Sequence, residues 1–560
     1  MINRMDKTMI FKKNYSYLTL LLVAIFAVLF SCAYGTVTPD SSLHSNMYIC
    51  NSSFYSGHSD DEIRTAVQHI VSTFNPDTYY PEIDILAPFD GTLFPRDIAS
   101  PTFKWHDQFS HSSSWLIIFR FEDTKHRICV VTDRTTWTPD EKVWNIIKRY
   151  SLEKKGYVTI IGISSERRGE ITSRNTIMIS TSKDEVGAPI LYMQMPLPFA
   201  RAKKHPELSQ WRLGAVSSYK EPSVVLKNVS SCGNCHHVSR NGKVFGMDID
   251  HKKDKGTYAL SEICNNMALT EKDLISWNDF QRSDTSKSMG LFSKISPDGT
   301  FVVSTVKETS FFAMLSDLDF SQFFFPVRGL VACYSIPEKR FFTLSGADDP
   351  DYVQTCPEWS PDGRYVVFSR AKVNTRLLEV LGGKDYINVG PEVRISDLNK
   401  KYQIRFNLYK LPFNNGKGGI PEPVAGASHN GNSNYFPRYS PDGRWIILTK
   451  SETGLAIQPD STLHIIPAEG GTARKLRCNT DIMNSWHSWS PNSRWLVFAS
   501  KVNTPYTELF LTHIDEEGND SPPVLLSRFN TDSYAALVPE LINIKIGAIK
   551  KITFSITQKQ

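Results

Sequence analysis

The sequence predicts an all-β protein, with an immunoglobulin- or fibronectin type III-like sandwich followed by a β-propeller of about six blades. Short apolar segments separated by turns fill the first half of the chain. In the second half, Ser-Pro-Asp-Gly turns recur, each followed by an apolar strand. With 560 residues, of which 41% are hydrophobic, the chain is long enough to form more than one core.

The N-terminal residues 1–32 have the pattern of a secretory signal with a candidate lipidation site. Basic side chains precede an apolar run over residues 17–30, which is short for a membrane span of about 20 residues. Leu29-Phe30-Ser31-Cys32 is similar to a bacterial lipobox, in which the cysteine carries the lipid. Phe30 is bulky for that motif, so ordinary cleavage nearby and an uncleaved anchor remain alternatives. We expect an exported lipoprotein, periplasmic or at the outer membrane or cell surface, anchored through Cys32.

Residues 33–80 are predicted to form a polar tether and a short helix, and residues 81–200 the sandwich. Apolar residues at helical spacing indicate the helix between residues 60 and 74. Strands of the sandwich are predicted at residues 115–121, 128–132, 158–163 and 176–180. Four tryptophans fall in this range: Trp105, Trp115, Trp137 and Trp144. Packing in the core is the favoured interpretation of these tryptophans, and a carbohydrate-binding platform is the alternative.

Residues 201–238 are predicted to be a linker, and they contain the motif Cys232-Gly233-Asn234-Cys235-His236. Two cysteines at this spacing can form thioethers with the two vinyl groups of one haem, and the next histidine can then reach the iron. The motif therefore predicts one covalent haem c per chain. Cys232 and Cys235 are the predicted attachment sites, and His236 is the predicted proximal ligand of the iron.

Half of a zinc site, a redox dithiol and a short disulfide are alternative interpretations of these cysteines. Zinc requires a second ligand pair, and the sequence contains no other Cys-x-x-Cys. The pair His106 and His111 falls in the other predicted domain. A thioredoxin-like dithiol is expected in a βαβ unit, whereas the surrounding sequence predicts β-hairpins. Haem attachment is favoured, and the thiol alternatives stay open.

Residues 239–560 are predicted to form the propeller. Ser-Pro-Asp-Gly turns or degenerate copies of them begin at Ser239, Ser296, Ser360, Ser440 and Ser490. Proline fixes φ, aspartate bonds the local backbone and glycine adopts positive φ, so each copy predicts a tight turn. The turns are 50 to 80 residues apart, against about 40–50 for a four-stranded blade, which indicates blades with insertions. Residues 535–544 are predicted to supply a further blade or to close the ring.

Two insertions in the propeller have unusual compositions. Residues 311–327 are too aromatic to be left in water, and we expect them to pack on a neighbouring domain, with partner binding as the alternative. Residues 371–403 are charged and are predicted to form a surface excursion.

The turn-and-strand unit resembles the TolB-type, or PD40, propeller repeat. Residues 232–250, 346–363, 426–443 and 484–498 are more closely similar to a group of exported bacterial propeller proteins. That group carries a haem-type Cys-x-x-Cys-His motif at the propeller entrance and an immunoglobulin-like domain before it. The resemblance spans about residues 83–544 and implies this fold and a c-type haem. It implies no particular reaction, and Tol-dependent transport is not implied because the N-terminal half does not resemble that of TolB.

The second axial ligand would decide between electron transfer and ligand binding at the haem. Met247, in a segment similar to the family, is the first candidate. His487 is the second, because a propeller brings its first and last blades together. Each has an alternative interpretation, namely a core methionine for Met247 and a buried histidine bonded between blades for His487.

Two functional hypotheses follow from these predictions. The first is a membrane-tethered haem c protein that passes electrons to a redox partner protein or senses that partner. The second is an extracytoplasmic scaffold that binds a protein or glycan, with structural thiols and no haem. A hydrolase is not indicated, because the closest match to a Gly-x-Ser-x-Gly elbow, around Ser428, lacks the second glycine. The nearly balanced net charge of +5 does not suggest nucleic-acid binding.

Overall fold

The structure, a computed structural model, falls into two compact units. It describes residues 47–51, 60–75, 78–108, 111–164, 170–229, 235–280, 287–315, 318–384, 387–388 and 392–554. Unit 1 comprises Met1–Arg96 and Ser100–Lys183, and unit 2 comprises Asp97–Ala99 and Asp184–Gln560. The signal segment, Cys32 and Cys232 lie outside the described residues, so the predictions made for them stay predictions.

Unit 1 contains a six-stranded and a three-stranded β-sheet. In spatial order, the larger sheet has the strands Met47–Asn51, Thr124–Thr132, Ser114–Phe121, Gly156–Ser164, Glu170–Thr181 and Thr92–Phe94. The smaller sheet has the strands Asp84–Ala87, Phe103–His106 and Thr136–Trp137. The two edge strands of the larger sheet pair in parallel with their neighbours, and its inner pairings are antiparallel. The four predicted strands are all present.

Aromatic side chains join the two sheets of unit 1. The ring of Phe103, on the smaller sheet, lies 5.4 Å from that of Phe119 on the larger sheet. Trp105 and Trp115 form a second contact of this kind at 6.1 Å. Both tryptophans are buried, as is Trp144, so core packing is confirmed for these three. The two packed sheets agree with the predicted sandwich, and its assignment to the immunoglobulin or fibronectin type III class stays a prediction.

Unit 1 also contains two helices, of which the sequence predicts one. The predicted helix is Asp60–Thr73, and it buries Val67 in a cluster with residues of the larger sheet. The unpredicted helix, Glu141–Tyr150, begins after Asp140, whose carboxylate accepts the N–H of Val143 at 2.9 Å. Charged residues dominate this second segment, and they concealed the buried face that Trp144 contributes to the core.

Unit 2 is a β-propeller of six blades, each an antiparallel sheet of four strands. From the innermost strand outward, blade 1 has Tyr534–Leu541, Ile190–Pro196, Gln210–Gly214 and Ser223–Lys227, blade 2 has His236–Val238, Val244–His251, Asp254–Glu262 and Leu274–Ser276, and blade 3 has Lys294–Ile295, Phe301–Met314, Gln322–Ser335 and Arg340–Thr343. Blade 4 has Tyr352–Trp359, Tyr365–Lys372, Asn407–Pro412 and Glu422–Pro423, blade 5 has Ser433–Tyr439, Trp445–Ser451, Thr462–Pro467 and Arg474–Lys475, and blade 6 has Ser485–Trp489, Trp495–Ser500, Glu508–His513 and Val524–Leu525. The fold class and the number of blades agree with the prediction.

The ring is closed within blade 1, which combines strands from both ends of unit 2. The strand Tyr534–Leu541 pairs antiparallel with Ile190–Pro196 and is the innermost strand of that blade. Of the two alternatives predicted for residues 535–544, the structure therefore shows ring closure.

The predicted boundary between the domains differs from the structure. The sequence predicts that the sandwich ends at residue 200 and that residues 201–238 form a linker. Instead, the strands from Ile190 to Lys227 form the outer part of blade 1, and His236–Val238 is the innermost strand of blade 2. The reason is that blade 1 has no Ser-Pro-Asp-Gly turn, so the repeat does not mark where the propeller begins.

A serine fixes each predicted turn between the first two strands of a blade. Ser360 Oγ donates a hydrogen bond to Asp362 Oδ1 at 2.6 Å and accepts the N–H of Tyr365 at 2.9 Å. The same two bonds occur at Ser490, where Asn492 replaces the aspartate. The degenerate copy therefore forms the same turn as the complete ones.

The two insertions form one structure, here called the cap. Residues 311–327 extend the two middle strands of blade 3, and residues 371–403 contain the helices Thr375–Leu381 and Ile395–Lys401. The ring of Phe311 lies 4.6 Å from that of Tyr402, and both belong to one apolar cluster. The predicted surface excursion over 371–403 is therefore wrong, because its helices bury leucine and isoleucine side chains against the aromatic insertion.

Short elements complete unit 2. Asn266–Leu269 pairs in parallel with the last strand, Lys551–Phe554, and Ile387–Asn388 pairs in parallel with the end of Phe301–Met314. The helix Phe199–Lys204 and the 3₁₀ helices Pro206–Leu208, Glu271–Asp273, Trp277–Asp279, Asn414–Gly416 and Ser527–Phe529 lie between strands. The cysteines whose side chains are described, Cys129, Cys235, Cys264, Cys333, Cys356 and Cys478, are all free thiols. No helix within the described ranges is both long and apolar enough to cross a membrane.

Replacing Phe311 with alanine should lower the free energy of unfolding by about 3–5 kcal/mol, because the side chain is completely buried in the cap cluster. The measurement is urea unfolding of Phe311→Ala, with Ile420→Ala as the control. Ile420 is 81% exposed, so its replacement should change the free energy by less than about 0.5 kcal/mol. Equal effects of the two substitutions would show that the cap does not contribute to the folded core.

Candidate functional site

The innermost strands of the propeller surround a cavity of about 240 Å³, here called the channel cavity. In blades 4, 5 and 6 these strands contain a β-bulge in which Cys356, Phe436 and Trp486 adopt positive φ. A bulge redirects the side chains that follow it. Each innermost strand supplies one residue to the cavity, two positions before the residue that opens the next turn. These six ring residues are His237, Lys294, Glu358, Arg438, Ser488 and Glu540.

The carboxylates of the ring residues are each held by a group from another blade. Glu540 Oε1 lies 3.5 Å from His237 Nε2 and accepts the N–H of Val238 at 3.2 Å. The Nδ1 atom of His237 accepts the N–H of Ile295 at 3.1 Å, so the hydrogen of this imidazole is on Nε2, facing Glu540. On the other side of the ring, the guanidinium of Arg438 forms an ion pair with Glu358.

Burial changes the protonation of several groups around the channel cavity. It lowers the pKa of Lys294 to about 7, and the nearby Arg438 guanidinium lowers it further. Burial also raises the pKa of Glu540, against the opposing effect of the Lys294 and Arg438 charges. The pKa of His237 is well below its usual value, again chiefly because of burial. The imidazole is therefore neutral at physiological pH, and the fixed positive charges come from lysine and arginine.

Arg240 lies across one mouth of the channel cavity. Its guanidinium donates hydrogen bonds to the backbone oxygens of Pro361 (2.9 Å) and Pro441, on blades 4 and 5. Its own backbone oxygen accepts a hydrogen bond from the amide of Asn543 at 2.8 Å. Arg240 thus connects blade 2 to the opposite side of the ring.

Cys235 lines a second, mostly apolar cavity of about 320 Å³, here called the Cys235 cavity. Its apolar walls include the sulfur-containing side chains Met193, Met195 and Met289 and the aromatic side chains Phe199, Phe292, Phe312, Phe324 and Trp486. Lys203, Lys255 and Asp250 are the charged residues that line it. Phe312 comes from the cap, and its ring packs at 5.5 Å against that of Phe199.

The thiol of Cys235 is protonated at physiological pH. Burial, together with the negative charge of Asp248, raises its pKa to about 12. Because the thiolate is the reactive form of cysteine, this environment does not favour redox exchange by Cys235. Cys232 lies outside the described residues.

His236 and His487 occupy equivalent positions in blades 2 and 6 and make the same contact. His236 Nε2 donates to the backbone oxygen of Leu191 in blade 1 at 3.2 Å, and His487 Nε2 donates to that of Ile447 in blade 5 at 3.0 Å. In both rings Nδ1 is buried without a hydrogen-bond partner in the described part of the chain. Burial lowers the pKa of each histidine to about 3. Both imidazoles therefore connect neighbouring blades in the neutral form.

The structure brings only some of the predicted haem residues together. His487 and Cys235 both line a space of about 40 Å³, whereas Met247 is completely buried in an apolar cluster. The packing alternatives considered for Met247 and His487 thus describe their observed environments. Met193 and Met195 were not predicted as site residues, because they lie in the strand assigned to the sandwich. The uninterrupted burial of Ile190–Pro196 is the signal that this strand lies in a core.

Comparisons with known proteins do not identify a family. No family model matches the chain, and no curated protein matches it. Similar solved structures include a protein described as TolB from Agrobacterium tumefaciens (14% identity, 60% of this chain and 88% of the other, TM-score 0.31). They also include an oligogalacturonate lyase from Vibrio parahaemolyticus (11% identity, 55% and 69%, TM-score 0.34). Such low identities and TM-scores carry no inference about activity, and the propeller assignment rests on the strand pairing.

Replacing His487 with glutamine should reduce the loss of stability in acid. The unfolded chain takes up a proton on this histidine near pH 6.5, whereas the folded chain does so only near pH 3. Between these values the unfolded state binds more protons, so wild-type stability should fall with decreasing pH by up to about 1.4 kcal/mol per unit relative to His487→Gln.

The measurement is the urea unfolding free energy of both proteins between pH 7 and pH 4. His205→Gln is the control, because it removes a histidine whose side chain is 47% exposed. A difference between wild type and His487→Gln that stays constant over this range would contradict the buried, neutral state of His487.

Proposed function

We propose that this chain is an exported haem c protein that holds one covalent haem in the Cys235 cavity and exchanges electrons with a redox partner protein. The position of Cys235 carries the proposal. This residue is the second cysteine of the Cys-x-x-Cys-His motif, and it lines an apolar cavity whose volume of about 320 Å³ is within the range of small-molecule sites. Export through residues 1–32 and lipidation at Cys32 are part of the proposal, because bacteria attach haem c outside the cytoplasm.

The lining of the Cys235 cavity fits the chemistry of a haem. Phe199, Phe312 and Trp486 offer apolar surface to a flat macrocycle, and Lys203 and Lys255 offer positive charge to its two propionates. Cys232 and Cys235 would provide the thioether bonds. A haem held there supplies one-electron redox chemistry. The surrounding side chains would exclude water and set the polarity of the site.

His236 does not fit the role of proximal ligand in the observed conformation. Its Nε2 atom is bonded to Leu191 between blades 1 and 2, and its side chain is completely buried. Methionine sulfur is an established axial ligand in cytochromes c. Met193 and Met195 line the Cys235 cavity, and we propose them as candidate iron ligands in place of Met247.

Maturation with a cytochrome c assembly system should give a coloured protein whose haem remains bound after acid–acetone extraction. The intact mass should increase by one haem, because two thioether bonds attach one macrocycle. Cys235→Ser and Cys232→Ser should each weaken covalent retention, and the double variant should lose it.

Cys264→Ser is the matched control, because Cys264 is an exposed free thiol outside the motif. It should retain the full amount of haem. A colourless, correctly folded wild-type protein would overturn the proposal and leave the scaffold hypothesis. Full haem retention in the double cysteine variant would overturn the attachment sites.

A further inference from the structure

We propose that the channel cavity is a binding site for a small monocarboxylate, held by Lys294 and Arg438 behind Arg240. This site is distinct from the Cys235 cavity, and the proposal does not depend on haem. It rests on the charges that line the channel cavity, on the state of Lys294 and on the closure of one mouth.

The charges lining the channel cavity are not balanced within the protein. Three cationic side chains line it, Arg240, Lys294 and Arg438, against two carboxylates, Glu358 and Glu540. Both histidines that line it are neutral, because burial lowers their pKa. One positive charge therefore lacks a counter-charge, which a ligand with one negative charge would supply.

Lys294 is the cation that remains available. Glu358 is paired with Arg438, and Glu540 accepts from His237 and Val238. Among the described residues, no carboxylate lies within ion-pair distance of the Lys294 ammonium, although the residue is only 5% exposed. A buried charge without a partner is costly. A ligand carboxylate placed between Lys294 and the remaining donors of Arg438 would offset that cost.

The walls of the cavity explain why the ligand should be small. A volume of about 240 Å³ is below that of most drug-sized sites. Proline residues of four blades narrow the same mouth that Arg240 crosses, namely Pro297, Pro361, Pro441 and Pro491. Arg240 is exposed and bonded to two backbone oxygens, so rotation of a single side chain would open this mouth.

The proposal predicts how binding depends on pH. The charged and titratable groups that face Lys294 are Arg438, Glu540, Asp248, Cys235, His236 and His237. Together with burial, they place the pKa of Lys294 at about 7. Only the ammonium form attracts a carboxylate. The affinity should therefore be highest below pH 7 and fall above it, by up to about tenfold per unit.

The experiment is calorimetric titration of the full chain with acetate, with acetamide as the neutral probe of the same shape. Acetate should bind saturably at pH 6, and acetamide should not. Lys294→Gln should weaken acetate binding at least tenfold, whereas Lys243→Gln, at an exposed lysine of blade 2, should leave it unchanged. Lys294→Arg should restore binding and remove the dependence on pH between 6 and 8, because arginine stays protonated.

Several results would overturn the proposal. These are the absence of saturable acetate binding to the wild-type protein, equal binding of acetamide, and unchanged acetate binding by Lys294→Gln. Tighter binding of inorganic phosphate than of acetate would overturn the assignment to carboxylates. If Lys294→Gln does not fold, the comparison of wild type with Lys294→Arg across pH decides, since equal pH dependence of the two would exclude Lys294 from the site.

Discussion

The pairing of the strand Tyr534–Leu541 with Ile190–Pro196 is the constraint on which both cavities depend. It places Glu540 beside His237, and it places Val538 and Met193 in the wall that Cys235 shares. These contacts join residues more than 300 positions apart in sequence. Contacts of such long range form late in folding, because a large loop must close before they contribute. The sites in unit 2 therefore exist only in the closed ring.

Buried ionic groups lie between the blades of the ring, where apolar packing alone would tolerate sliding. Arg438 of blade 5 reaches Glu358 of blade 4, and His237 of blade 2 reaches Glu540 of blade 1. Such pairs add little net stability, because both partners lose hydration, but removing one partner leaves a buried charge. This asymmetry makes one arrangement of neighbouring blades strongly preferred. Lys294 does not fit the pattern, since it is buried without a carboxylate partner, and a binding role accounts for that difference better than a structural one.

Local signals predicted more of this protein than long-range ones. The serine-proline-aspartate-glycine turns are fixed by hydrogen bonds within five residues, so the blades they open could be read directly from the sequence. Blade 1 could not, because its strands carry no such turn and its first strand follows more than 300 residues later. The cap required contact between segments about 45 residues apart, Phe311 and Leu377 among them. Of the site, Cys235 was predictable from its motif. The ring residues were not, because His237, Lys294, Glu358 and Ser488 share a position and no chemical type.

The motif that suggested haem also contains the strongest constraint on how haem could be held. Cys235 and His236 are adjacent, and adjacent side chains in an extended segment point in opposite directions. Cys235 accordingly lines the Cys235 cavity, while His236 lies between blades 1 and 2 with its Nε2 bonded to Leu191. To present that nitrogen to the same cavity as the thiol, the strand His236–Val238 would have to leave Met247 and its neighbours in blade 2. Retaining the strand and taking a ligand from Met193 or Met195 preserves every blade contact, and for this reason we favour methionine over His236.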